Sequence, residues 1–134
     1  MSRMKFDIYT GYYSQMKKYR QMGMIPVSIA YLTPQWYDGE VCFELAPSRT
    51  LLKRWKQGEI TEEEYKEQYT QFLDNDVQWS KVWKKLKQIS TKYKNSDLVL
   101  CCFEKSEDFC HRHVLAEYLT DTGIDVVEVP IAKK

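Results

Sequence analysis

The stretch LVLCCFEKSEDFCHRHVLAEY, residues 98–118, reads as an apolar strand running straight into a helix, and that junction decides the fold. Leu98 through Phe103 are apolar without interruption, the pattern of a central strand covered by helices on both faces. Beyond them Val114, Leu115, Tyr118 and Leu119 recur at helical spacing and, at about 100° per residue, define one buried side. A buried strand followed by an amphipathic helix is the building unit of open α/β sheets. Such sheets hold ligands beyond the carboxyl ends of their strands, where a helix start directs free N–H groups and a positive partial charge into the crevice.

Working outward, residues 5–9 (KFDIY) and 25–31 (IPVSIAY) are β-branched and aromatic runs bounded by glycine and proline, and read as strands. Residues 11–23 between them are long enough for a short crossover helix, which predicts a right-handed βαβ unit. The second strand ends in LTPQWYDGE, a turn-rich loop with two large aromatics. Pro47 then opens a helix over residues 48–57 that Gly58 stops. Thr61 and Glu64 form a capping-box pattern for a second helix reaching about Leu73. A third, over 77–93, carries Trp79, Val82, Trp83, Leu86, Ile89 and Tyr93 as a core-facing stripe. The junction helix runs from about Asp108 to Thr122, with Gly123 as its stop, and a last strand covers 125–129. The expectation is one α/β domain over residues 1–134, a three-layer sandwich with about four mostly parallel strands and a helical insertion between the second and third.

With 134 residues, 43% of them hydrophobic and 29% charged, the chain can bury a core without disulfides or metals. No apolar run approaches the roughly 18–20 residues of a membrane span. Residues 1–5 lack the basic-then-apolar arrangement of a signal peptide, so the expected location is the cytoplasm and Cys42, Cys101, Cys102 and Cys110 are read as thiols. A formal charge of +1 supplies no overall attraction to nucleic acid. Local charge is less even: residues 59–76 hold seven acidic side chains and 81–94 hold six lysines, read as solvated helix faces that attract one another.

Candidate site residues cluster at the junction. Glu104 is the first charged residue after the apolar strand, placed to act as acid, base, nucleophile or ligand anchor. Asp108 suits the N-cap of the helix that follows. Cys110 in the first turn, beside Arg112, is where a thiol pKa falls and a nucleophile becomes available. Helix rotation turns His111 inward with Leu115 and sends His113 and Glu117 toward solvent, with Cys110 and Arg112 flanking the buried side. Because His113 faces away, no metal is assigned to Cys102, Cys110, His111 and His113, and no cofactor is indicated. Two consecutive cysteines in a strand point to opposite faces, so at most one of Cys101 and Cys102 serves a site there.

Cys102-Phe103-Glu104 and, five residues on, Cys110-His111-Arg112 resemble the hallmark of the family known as domain of unknown function 488. The opening DIYTGYYS, the PVSIA strand with its PQWYDG loop, the ELAPS segment and the TEEEYKEQY helix are similar to its short members, so the resemblance covers most of the chain. It implies an α/β domain and groups Glu104, Cys110, His111 and Arg112 as a functional set. It implies no particular reaction.

If the strands are parallel, the loops carrying Tyr12, Tyr13, Trp36 and Tyr37 meet the junction on one edge. Those rings suit a planar group, while Arg112 and the helix start suit a phosphate or carboxylate. The expected partner is therefore a small nucleotide-like molecule, without a membrane or nucleic acid as partner, and a homo-oligomer is left open. Four functions compete: hydrolysis or transfer with Glu104 as acid, base or nucleophile, His111 orienting it and Arg112 holding an anion; sequestration of the ligand without chemistry; cysteine-dependent transfer or redox chemistry with Cys110 as the catalytic residue; and protein interaction through the charged helices.

Overall fold

The protein's structure, a computed structural model, describes residues 6–103 and 110–130. Five parallel strands, β1 (Ile8–Tyr12), β2 (Ile25–Ser28), β3 (Glu40–Val41), β4 (Leu98–Cys102) and β5 (Val126–Glu128), form one sheet in the order β3-β2-β4-β1-β5. Helix α1 (Met16–Gln21) follows β1 after a single 3-10 turn; α2 (Arg49–Lys56), α3 (Glu62–Asn75) and α4 (Trp79–Lys92) lie between β3 and β4; α5 (His111–Asp121) links β4 to β5. The three-layer α/β architecture expected from the junction is therefore present, with one strand more than expected and every pairing parallel.

Strand alternation divides the core between the two faces of the sheet. Ile8, Val27, Leu98 and Leu100 pack with Leu73 of α3, Val82 and Leu86 of α4 and Leu115 and Leu119 of α5. Val99 and Cys101 pack instead with Met16 and Tyr19 of α1. Fully buried on both sides, β4 explains the uninterrupted apolar run. Helix ends follow local chemistry. Ser48 caps α2 by accepting from the Leu51 N–H at 3.1 Å, and Thr61 with Glu64 closes a reciprocal capping box on α3. Gly123, at φ 100°, takes the left-handed conformation that ends α5.

Some edges differ from the sequence reading. The first strand lies at 8–12 rather than 5–9, because pairing of Ile8 with Leu98 and Tyr12 with Cys102 draws Thr10 and Gly11 into the sheet. Within the PQWYDGE loop region a short strand, β3, pairs beside β2. On α4, Val82, Leu86 and Ile89 are buried, whereas Trp79 and Trp83 are half-buried and stack on each other, Trp79 also stacking on Tyr118. Tyr93, expected in the core, is exposed and donates to Glu40 at 2.7 Å. Lysines of α4 pair with Glu44 (Lys85, 3.0 Å) and Glu40 (Lys92, 3.0 Å), residues near β3 rather than in α3. No described helix is long and apolar enough to cross a membrane.

Gly11 is needed for close approach rather than for a turn. A Cβ there would meet the Tyr19 hydroxyl and lie 2.6 Å from the Tyr19 Cζ, and Tyr19 is fully buried while accepting the Tyr12 N–H at 3.1 Å. The ring has nowhere to retreat. Gly11→Ala should lower stability by about 1–3 kcal/mol, as overpacking does, measured by urea unfolding; an unchanged midpoint would show that the α1 layer is loosely held.

Candidate functional site

Parallel strands place the carboxyl ends of β1, β2 and β4 on one edge. The chain leaves β1 past β4 toward β2 and leaves β4 past β1 toward β5, so the two connections cross on opposite faces of the sheet, α1 on one and α5 on the other. Loops that leave these neighbouring strands for opposite faces border the carboxyl edge, where open α/β sheets bind ligands. Cys102 ends β4 there, opposite Tyr12 of β1, and Cys110 sits at the N-cap of α5 in an extended conformation.

The two cysteines are brought together. Their sulfurs are in contact as a bonded pair across eight residues of sequence, with α-carbons 7.6 Å apart. Cys102 is 1% and Cys110 5% exposed. Alternation along β4 sends Cys101 to the α1 face and Cys102 toward α5, so one of the adjacent cysteines reaches the site, as strand geometry requires. Burial pushes the Cys101 and Cys42 thiols up to about 12 and leaves them inert beside this pair.

His111 does point inward. Its Nε2 lies 2.7 Å from the Ile29 carbonyl oxygen, which can only accept, so Nε2 carries the proton and Nδ1 presents a lone pair 3.5 Å from the Cys110 sulfur. Tyr69 meets the imidazole edge-to-face at 5.5 Å. Burial away from water pushes the His111 pKa down to about 4, with Arg112 adding to the effect, so the ring is neutral near pH 7. His113 is half-buried rather than turned to solvent.

Arg112 is fully buried. Its Nε and Nη2 donate to the two carboxylate oxygens of Glu128 at 3.1 and 3.0 Å, and Nη1 donates to the Cys102 sulfur at 2.9 Å. Thr10 donates to the same carboxylate at 2.6 Å, and the Tyr12 ring lies 5.7 Å from the guanidinium. Its charge is thus shared between a carboxylate and a sulfur. Sequence reasoning missed Glu128; the available signal was an acid between valines in VVEV, residues 126–129, which a parallel neighbour carries to the same edge as Cys102.

The expected aromatic residues separate. Tyr12 is half-buried over Arg112. Tyr13 is buried, hydrogen-bonded to Ser28 at 2.6 Å, and surrounded by Trp36, Tyr37 and Phe103 at ring distances of 6.3, 5.2 and 4.9 Å. The Tyr37 hydroxyl donates to the Glu40 carbonyl, closing its own loop. Trp36 is 61% exposed and borders a groove of about 780 Å³ with Tyr13, Lys17, Arg20 and Asp38. Arg20 and Asp38 are paired at 2.7 Å. Glu104 lies outside the described residues, as does Asp108, whose expected place as the N-cap of α5 is taken by Cys110.

Residues 16–123 match the model of a protein family described as DUF488-N3a, Active DUF488-N3 subclade. No curated protein and no solved structure matches the chain.

Proposed function

The chain belongs to the DUF488 family, and from that premise we propose that it is a small-molecule enzyme working through cysteine chemistry, with Cys110 as the attacking thiolate and Cys102 as the second thiol. One observation carries this reading: two sulfurs, a guanidinium and an imidazole lone pair converge at the carboxyl edge of the sheet. The description of the matching subclade as active favours catalysis over sequestration.

In the dithiol form, His111 Nδ1 accepts a hydrogen bond from Cys110, while the guanidinium of Arg112 favours negative charge on Cys102. The Cys110 thiolate attacks one sulfur of a substrate disulfide, and the other sulfur leaves with the bonding electron pair. Cys102 then attacks the Cys110 sulfur, closes the Cys102–Cys110 bond and releases the second half of the substrate. The two protons of the enzyme thiols end on the two product thiols; the enzyme is oxidised by two electrons and the substrate reduced by two. The exposed Trp36, with Lys17 in the same groove and Arg20 there paired with Asp38, supports a planar, anionic, nucleotide-like substrate. A cytoplasmic setting, which keeps thiols reduced, would return the pair to its starting state.

The test uses reduced protein and dithiobis-nitrobenzoate, an aromatic disulfide. Wild type should release two chromophores per chain and keep no adduct. Cys102→Ser should release one and retain the mixed disulfide, and Cys110→Ser should react at least about 100-fold more slowly. Equal rates for wild type and Cys110→Ser would remove the thiol mechanism. If a nucleotide screen finds a ligand that wild type consumes, loss of that activity in Glu104→Gln but not in Cys110→Ser would replace it with acid–base hydrolysis.

A further inference from the structure

The dithiol form of this cluster also carries the donor set of a soft cation site. We infer that it binds one Zn²⁺-like divalent ion through Cys102 Sγ, Cys110 Sγ and His111 Nδ1, with a fourth position left for an exogenous ligand. These three atoms lie within 4.8 Å of one another on three buried residues. Tetrahedral zinc, with bonds of about 2.3 Å to sulfur and about 2.0 Å to nitrogen, sets sulfur and nitrogen about 3.5 Å apart. Cys110 Sγ and His111 Nδ1 are 3.5 Å apart.

Backbone spacing agrees. The α-carbons of Cys102 and Cys110 are 7.6 Å apart, wider than the roughly 4.4–6.8 Å that disulfides usually span. That width leaves room for the sulfurs to part to the separation of about 3.8 Å that a shared tetrahedral ion imposes. Outer contacts are also those of a ligand set. The Nε2–H of His111 is tied to the Ile29 carbonyl at 2.7 Å, which fixes the tautomer and aims Nδ1 inward, as metal-bound histidines are commonly held. Arg112 donates to the Cys102 sulfur at 2.9 Å and would offset the charge of two thiolates. Among the described residues the ligand set is of the Cys₂His type, and three such ligands leave a position for water or a substrate heteroatom, as in zinc sites that perform chemistry. His113 is not required, which removes the objection raised by helix rotation.

The inference uses the same sulfurs as the thiol mechanism but not its turnover, and the two occupancies exclude each other: an ion that holds both thiolates prevents disulfide closure. The experiment takes the full chain, reduced, stripped with a chelator and kept free of oxygen, and offers it Zn²⁺ or Co²⁺ alone. One Zn²⁺ should bind per chain and suppress chromophore release from dithiobis-nitrobenzoate until chelator is added. Co²⁺ should give thiolate-to-cobalt charge-transfer absorption and the intense visible bands of tetrahedral geometry. His111→Gln keeps an N–H donor for Ile29 but removes Nδ1, and should weaken Zn²⁺ binding at least about tenfold and shift the cobalt bands. Cys102→Ser and Cys110→Ser should remove the charge-transfer absorption, while Cys42→Ser, at a buried thiol outside the cluster, should change nothing. Should a variant fail to fold, thiol protection by Zn²⁺ in wild type decides alone. No stoichiometric Zn²⁺, or a cobalt spectrum without thiolate bands, overturns the inference. If Zn²⁺ fails while two chromophores are still released, the metal site falls and the thiol mechanism stands; Zn²⁺ bound tightly by a protein whose metal-free form exchanges no thiol gives the reverse.

Discussion

Glu128→Ala should destabilise the protein by about 3–5 kcal/mol, the loss expected when one partner of a buried ion pair is removed and the other charge stays behind. The size follows from where Arg112 sits. Its side chain is fully buried whereas that of Glu128 retains 21% exposure, and both carboxylate oxygens receive its N–H groups, at 3.1 and 3.0 Å. Without the carboxylate, the guanidinium keeps, among the described residues, the Cys102 sulfur and the face of the Tyr12 ring. Arg112→Met should be milder, since the remaining carboxylate is nearer water and still accepts from Thr10. The double change Arg112→Met with Glu128→Leu should recover most of the stability, because an apolar pair of similar volume carries no desolvation penalty. That recovered protein should nevertheless close the Cys102–Cys110 bond slowly, having lost the cation that favours the Cys102 thiolate. Urea midpoints at constant slope, with chromophore release as the second readout, test both halves. A Glu128→Ala protein within about 1 kcal/mol of wild type would mean that the pair is effectively solvated.

Leu115→Ala should lose about 2–5 kcal/mol, as core truncations to alanine do, while Glu117→Ala two positions on should stay within about 0.5 kcal/mol. Leu115 is fully buried in the main core, one turn beyond His111 on the same side of α5. Glu117 meets Lys66 at 2.9 Å, with both side chains about half exposed. The contrast tests the rotation of α5, and with it the inward aim of His111. Similar losses at both positions would mean that the helix is turned differently, and Ile29 would then not be the partner of His111.

Much of the architecture was legible because it rests on local rules. The capping box at Thr61 and Glu64, Gly58 and Gly123 as helix stops, and the buried β4 follow from periodicity and backbone preference. Less legible were elements defined by a partner. Gly11 has little strand character of its own, yet it lies opposite Cys101, and β3 is two residues long because only Glu40 and Val41 pair with β2. At the site, the inward turn of His111 could be read from its spacing to Leu115, but the pairing of Cys102 with Cys110 and of Arg112 with Glu128 could not.

By itself the sequence determined an α/β architecture, the strand-to-helix junction at residues 98–118, and the rule that at most one of Cys101 and Cys102 can serve the site. These rest on angles of about 100° and 180° per residue, which any short stretch of chain carries with it. Only the tertiary structure decided what the junction holds. Parallel pairing of β4 with β1, and of β1 with β5, carries Glu128 across to Arg112, and the path from β4 into α5 returns Cys110 to Cys102. Arg112, which in sequence is a free cation for a ligand, is in the fold committed to a carboxylate and a sulfur. Burial accounts for the difference: a guanidinium taken out of water is stable only among partners, and those partners come from the strands on either side of α5 in the chain, which the sheet sets on either side of β1.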